Sequence, residues 1–200
     1  MISTDPIIRL NHVIDTSWMI LFERIVSGKL SINKESSLQL HLSKLIFEMG
    51  NCYCLLPEET FEIQMEINYG KKSIDIVCHL GSTSAAIELK CFIKSSNRAT
   101  DIDCYDALKD IERLYEFDGF EIKKFICLTD NLYYPETNQK GHGKSVTLVS
   151  GTIYLANNEI LPSWAGIWKV KRDAPIIFKK DINCNWITNK KWHYWKVDVA

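Results

Sequence analysis

The sequence lacks several features that would place it in a special class of protein. It has no window that approaches about 18 consecutive apolar residues, which argues against a membrane-spanning helix. It has no internal repeat and no low-complexity tract, and its 46% hydrophobic and 24% charged residues are ordinary for a globular protein. Asp5 and Pro6 stand where a secretory signal would need a basic and then an apolar stretch. We therefore expect one folded domain over residues 1–200, located in the cytoplasm and with no membrane partner.

Familiar local signatures of disulfide, metal and catalytic sites are also absent. The seven cysteines are an odd number and most stand in apolar runs, so they predict buried thiols in a reducing compartment. Cys52 and Cys54 form a close pair, but no second pair with zinc-site spacing follows, so a structural zinc site is disfavoured. No Gly-x-Ser-x-Gly or His-Glu-x-x-His sequence occurs. The net charge of −1 neither favours nor excludes a nucleic-acid partner.

The spacing of apolar residues predicts a mixed chain of helices and strands. Helical spacing predicts helices over residues 12–27, 33–49 and 101–117, with Asn33 as the cap of the second helix and Gly50 as its end. Alternating or continuous apolar runs predict strands over residues 60–68, 73–80, 84–92, 124–129 and 146–155. The remaining C-terminal part is expected to be irregular. The predicted fold class is α/β in the broad sense (α+β), with a mixed central β-sheet that is flanked by helices.

Charged residues interrupt two of the predicted strands. Asp75 stands between two isoleucines, and Glu88 and Lys90 stand in the apolar run AAIELKCFI. Alternate residues of a strand share a face, so Glu88 and Lys90 project together, and a hairpin would bring Asp75 to the same patch. Two neighbouring carboxylates favour a divalent cation, which can activate a water that Lys90 holds or helps to deprotonate. A solvated charged face is the alternative, but charges in such a run are costly unless they are paired or metal-bound.

A further acid lies on the apolar side of the helix predicted over residues 33–49. Glu35 falls within the arc of Leu38, Leu42 and Ile46. An acid in this position suits a third carboxylate of a metal site. A glutamate that interacts with the dipole at the start of a helix explains it equally well.

An acid on a first helix, an aspartate on one strand and Glu-x-Lys on the next together resemble the PD-(D/E)XK nuclease superfamily. The resemblance covers residues 33–130 and follows the superfamily's α-β-β-β-α-β core order. It implies that Asp75 and Glu88 ligate Mg²⁺, for which Mn²⁺ can substitute, with the Leu89 main-chain carbonyl completing the shell. Lys90 would then address the attacking water, and Glu35 would support the metal or its water. A metal-dependent DNA endonuclease of restriction, defence or mobile-element biology is implied, and double-strand cutters on this fold often work as homodimers.

Other interpretations stay open beside the nuclease. The chain could be a catalytically silent DNA-binding module on the same fold, or an interaction protein in which Glu-x-Lys is coincidental. The C-terminal run from Trp186 to Lys196 interleaves aromatic and basic residues, which is typical of stacking on unpaired bases or of a segment that buries its aromatics in the core. Residues 131–145 are predicted as a loop, and its Lys140, His142 and Lys144 could contact a DNA backbone.

Overall fold

The structure is a computed structural model that describes residues 2–70, 72–96, 99–137, 145–162 and 172–199. Its elements are α1 (Pro6–Val26), α2 (Glu35–Cys52), β1 (Phe61–Tyr69), β2 (Lys72–Leu80), β3 (Thr83–Phe92), α3 (Thr100–Leu114), β4 (Ile122–Thr129), α4 (Tyr133–Glu136), β5 (Ile153–Tyr154), β6 (Glu159–Ile160), β7 (Ile176–Ile177), β8 (Ile182–Asn183), β9 (Trp186–Asn189) and β10 (Trp192–Asp198). A six-stranded sheet has the order β1-β2-β3-β4-β10-β9 and contains one parallel pair, while β5 pairs with β8 and β6 with β7. The predicted mixed α+β class, with a central mixed sheet flanked by helices, is therefore confirmed. No helix in the described part of the chain is long and apolar enough to cross a membrane.

The chain divides into two compact units. One contains the residues up to Leu89 together with Phe117–Lys124, and the other contains Lys90–Glu116 together with Phe125–Val199. Strands β3 and β4 each begin in the first unit and end in the second. The single domain expected from the sequence stays a prediction.

Helix α1 begins at Pro6 rather than at residue 12 because the preceding residues form a helix start. The Ile7 N–H donates to the Asp5 carboxylate over 2.8 Å, and Pro6 stands in the first turn, where its missing N–H costs nothing. Apolar side chains at spacings of three and four residues then form a fully buried stripe along the helix. This stripe contains Leu10, Val13, Ile14, Trp18 and Leu21.

Gly50 does not end α2, contrary to the expectation from the sequence. The helix continues to Cys52, and a Cβ atom on Gly50 would lie 2.4 Å from the ring of Phe61 on β1. The missing side chain therefore lets the helix approach the strand, which is the second common use of glycine. Asn33 is not the cap either, because α2 starts one residue later, with Lys34 at the N-cap position.

The second unit contains a β-hairpin where the sequence predicted irregular structure. Strands β9 and β10 pair antiparallel, and Trp195 is fully buried with its ring centroid 5.4 Å from that of Phe125. Trp192 and Tyr194 are buried as well, so the interpretation that the C-terminal aromatics belong to the core is confirmed for these residues. The alternative interpretation, in which the aromatic rings stack on unpaired bases, is therefore wrong for these three residues, because a buried ring has no face open to a base.

Two other predicted segments differ from the structure or lie outside it. Of the strand expected over residues 146–155, only Ile153–Tyr154 is a strand, since residues 147–149 have no regular structure. Lys140, His142 and Lys144, the predicted DNA contacts of the loop, lie outside the described residues.

Candidate active site

Asp75 lies on β2 at the point where the pairing with β3 stops. The paired residues run from Leu80 opposite Thr83 to Ile76 opposite Ile87. One residue beyond the last pair, the half-buried Asp75 carboxylate accepts the main-chain N–H of Leu89 over 2.6 Å. A hydrogen bond to a charged acceptor of this length is a strong one. The Asp75 side chain is therefore held against the segment of β3 that contains Glu88.

Glu88 lies in the interior of the protein. Its exposed fraction is 0%, and the flanking Ile87 and Leu89 are equally buried. A carboxylate is costly in such a place unless it is paired, hydrogen-bonded or bound to a metal. Of the two interpretations from the sequence, the solvated charged face is thus wrong for Glu88, because this side chain has no contact with solvent.

A glutamine that sequence reasoning missed holds the backbone at Asp75. Gln39 on α2 is only 8% exposed, and its amide donates to the main-chain carbonyl of Asp75 over 2.7 Å and to the carboxylate of Glu66 on β1 over 2.9 Å. A signal was present in the sequence, because Gln39 lies three residues before Leu42 and seven before Ile46, on the apolar face of the helix. A polar residue on such a face calls for a buried partner.

Glu35, the predicted third carboxylate, is the first residue of α2. It is half-buried and lies one helical turn before Gln39. A negative charge in the first turn interacts favourably with the helix dipole, so this position agrees with the second explanation of Glu35 that the sequence allowed. Its role in supporting a metal or a water stays a prediction.

Lys90 follows Glu88 by two residues on β3 and takes part in an ion pair of the second unit. Its ammonium lies 2.5 Å from the Asp110 carboxylate of α3, and the two side chains are 15% and 9% exposed. The other Asp110 oxygen lies 3.1 Å from the guanidinium of Arg113. Asp110 thus forms an ion pair with both Lys90 and Arg113, and its own carboxylate is largely buried.

The donor set predicted for a metal is small. Among the described residues, no group of three or more His, Cys, Asp or Glu side chains lies together in a way that could hold an ion. Asp75, Glu88 and the Leu89 carbonyl offer two carboxylates and one neutral oxygen. These donors fit Mg²⁺, which usually keeps several waters and takes one or two carboxylates from the protein. The same donors do not fit a metal that needs soft ligands or a complete set of protein ligands.

Comparison with known proteins leaves the family of the chain open. No protein-family model matches it, and searches of curated proteins and of solved structures gave no significant match.

Proposed function

We propose that this chain is a metal-dependent DNA endonuclease with a restriction-endonuclease-like core, which hydrolyses phosphodiester bonds. The observation that carries the proposal is the 2.6 Å hydrogen bond from the Leu89 N–H to the Asp75 carboxylate, next to the fully buried Glu88. The elements from α2 to β4 also follow the α-β-β-β-α-β order of the PD-(D/E)XK resemblance. The two neighbouring acids and the order of the helices and strands along the chain together support the proposal.

Asp75, Glu88 and the Leu89 carbonyl would hold Mg²⁺, with Mn²⁺ as a substitute. When bound, such an ion lowers the pKa of a coordinated water and neutralises charge on the scissile phosphate. Asp75 would present its carboxylate to the ion in a defined direction, since the Leu89 N–H holds one of the carboxylate oxygens. Glu88 would supply the second charge from a region without competing bulk water.

Lys90 would bind the attacking water or a phosphate oxygen. Alternation along β3 directs Lys90 to the same side of the strand as Glu88. The ion pair with Asp110 restrains the ammonium, so less side-chain entropy is lost when it binds a reactant. Hydrolysis forms a bond from the water oxygen to phosphorus and breaks a phosphorus–oxygen bond, which leaves a phosphate monoester and a hydroxyl.

The same ion pair favours one rival from a different class, a silent DNA-binding module. In that case the Lys90–Asp110 pair stabilises the fold, and the protein binds DNA without cutting it.

A labelled DNA duplex separates the two functions when binding is measured by fluorescence anisotropy in Ca²⁺ and cleavage by gel in Mg²⁺ or Mn²⁺. The nuclease proposal predicts that Lys90→Met keeps the affinity for the duplex within about threefold but loses cleavage by at least a hundredfold, as removal of a catalytic group does. Salt-dependent binding without cleavage by the unsubstituted protein would instead establish the module.

A further inference from the structure

The pairing of β1 with β2 is interrupted beside Asp75. Residues pair on both sides of this point, with Met65 opposite Ile76 and Ile67 opposite Ile74. Between them, Glu66 has a φ of 53°, in the left-handed region that few residues other than glycine adopt. This backbone conformation removes Glu66 from the extended geometry that a regular strand pair needs. A strained conformation within a strand is often kept for a functional reason.

Gln39 supplies a hydrogen-bond donor at the interruption. One amide nitrogen donates both to the Asp75 carbonyl and to the Glu66 carboxylate, which its two protons allow at the same time. Both partners are acceptors, so only the NH₂ group of the amide, and not its oxygen, can face them. The buried glutamine thus links α2, β1 and β2 at a single atom.

We infer that Gln39 is a positioning residue for Asp75, an inference that rests on the proposed function. Asp75 is held at two points: Gln39 holds its main-chain carbonyl, and the Leu89 N–H holds its carboxylate. With both points held, the direction of the Asp75 carboxylate is set before any ion arrives. Groups that orient a metal ligand typically change metal affinity by about 10- to 100-fold when they are removed.

Two substitutions separate positioning from folding. Gln39→Leu keeps the approximate volume and helical preference but removes both donors, so Asp75 loses its main-chain restraint. Glu66→Gly suits the left-handed backbone, so the fold is retained, and it removes the second partner of Gln39. Gln64→Leu is the matched control for the glutamine change, because Gln64 is exposed on β1.

The test is the affinity for Mn²⁺, measured by isothermal titration calorimetry together with the circular dichroism spectrum of each variant. Gln39→Leu should weaken Mn²⁺ binding about 10- to 100-fold and Glu66→Gly by a smaller factor, with native spectra, while Gln64→Leu stays within about twofold. Should Gln39→Leu fail to fold, Gln39→Met, which also lacks the amide donors, decides, and unchanged affinity in that variant overturns the inference.

The outcomes also separate the inference from the proposed function. If the unsubstituted protein binds Mn²⁺ and both variants bind it equally well, only the role of Gln39 is overturned. If the unsubstituted protein binds no Mn²⁺, the proposed metal site fails and the role of Gln39 with it.

Discussion

Asp110 should stabilise the protein more than either of the cations that it binds. Its carboxylate lies 2.5 Å from Lys90 and 3.1 Å from Arg113, and it is only 9% exposed. Asp110→Asn keeps the shape but leaves two largely buried cations without their shared negative charge. Breaking a buried pair in this way costs about 3–5 kcal/mol of unfolding free energy. Lys90→Met leaves Asp110 paired with Arg113, so we expect a smaller cost of about 1–2 kcal/mol, as for one hydrogen bond to a charged group.

Urea unfolding followed by tryptophan fluorescence at pH 7 measures both costs. The matched control is Glu48→Gln, which makes the same carboxylate-to-amide change in an exposed ion pair. Lys44 and Glu48 are 72% and 56% exposed with a 3.8 Å separation, so this control should cost less than about 1 kcal/mol. The reasoning is refuted if Asp110→Asn costs no more than Glu48→Gln, or if Lys90→Met costs more than Asp110→Asn.

Two further predictions concern acid stability and thiol reactivity. Arg9 donates two hydrogen bonds to Glu59, which lowers the pKa of that carboxylate from 4.5 to about 2. The stability from this pair is therefore present above about pH 4.5 and is lost as the pH falls toward 2. Over this pH range, the melting temperature should fall more steeply for the unsubstituted protein than for Glu59→Gln. Equal slopes for the two proteins would contradict the stabilising role of the pair. Ellman's reagent should modify Cys52 quickly and Cys54 more slowly in the native protein, since burial raises the pKa of the Cys54 thiol. Five cysteines are buried and should react only after denaturation: Cys78, Cys91, Cys104, Cys127 and Cys184. Rapid labelling of any of these five in the native protein would contradict its buried position.

The helices and long strands could be predicted because their apolar residues recur at clear intervals. The strands expected over residues 73–80 and 84–92 match β2 and β3 within one residue. Gly50 was misinterpreted because a glycine that ends a helix and a glycine that permits close packing look the same in a sequence. The β9–β10 hairpin was missed because its aromatic and basic residues suit an exposed surface as well as a core, and only tertiary packing decides between them.

The candidate site was predictable where charged residues interrupt the apolar sequences of β2 and β3. Glu88 stood out because an acid interrupts a fully apolar run. Gln39 and Asp110 were missed as partners of Asp75 and Lys90 because they lie on helices that are distant from these residues in the sequence. Helical spacing shows which face of a helix a residue occupies, but not which residue of another element it contacts. The positive φ of Glu66 could not be foreseen, since glutamate has no preference for that conformation.

The most direct test of the central claim is cleavage of supercoiled plasmid in Mg²⁺ or Mn²⁺, with EDTA as the metal-free control. The proteins to compare are the unsubstituted chain, Asp75→Asn, Glu88→Gln and, as a matched exposed acid on β1, Glu62→Gln. The nuclease account predicts that the unsubstituted chain and Glu62→Gln nick or linearise the plasmid only with metal, and that Asp75→Asn and Glu88→Gln leave it supercoiled. An inert unsubstituted chain, or equal cutting by all four proteins, would contradict it.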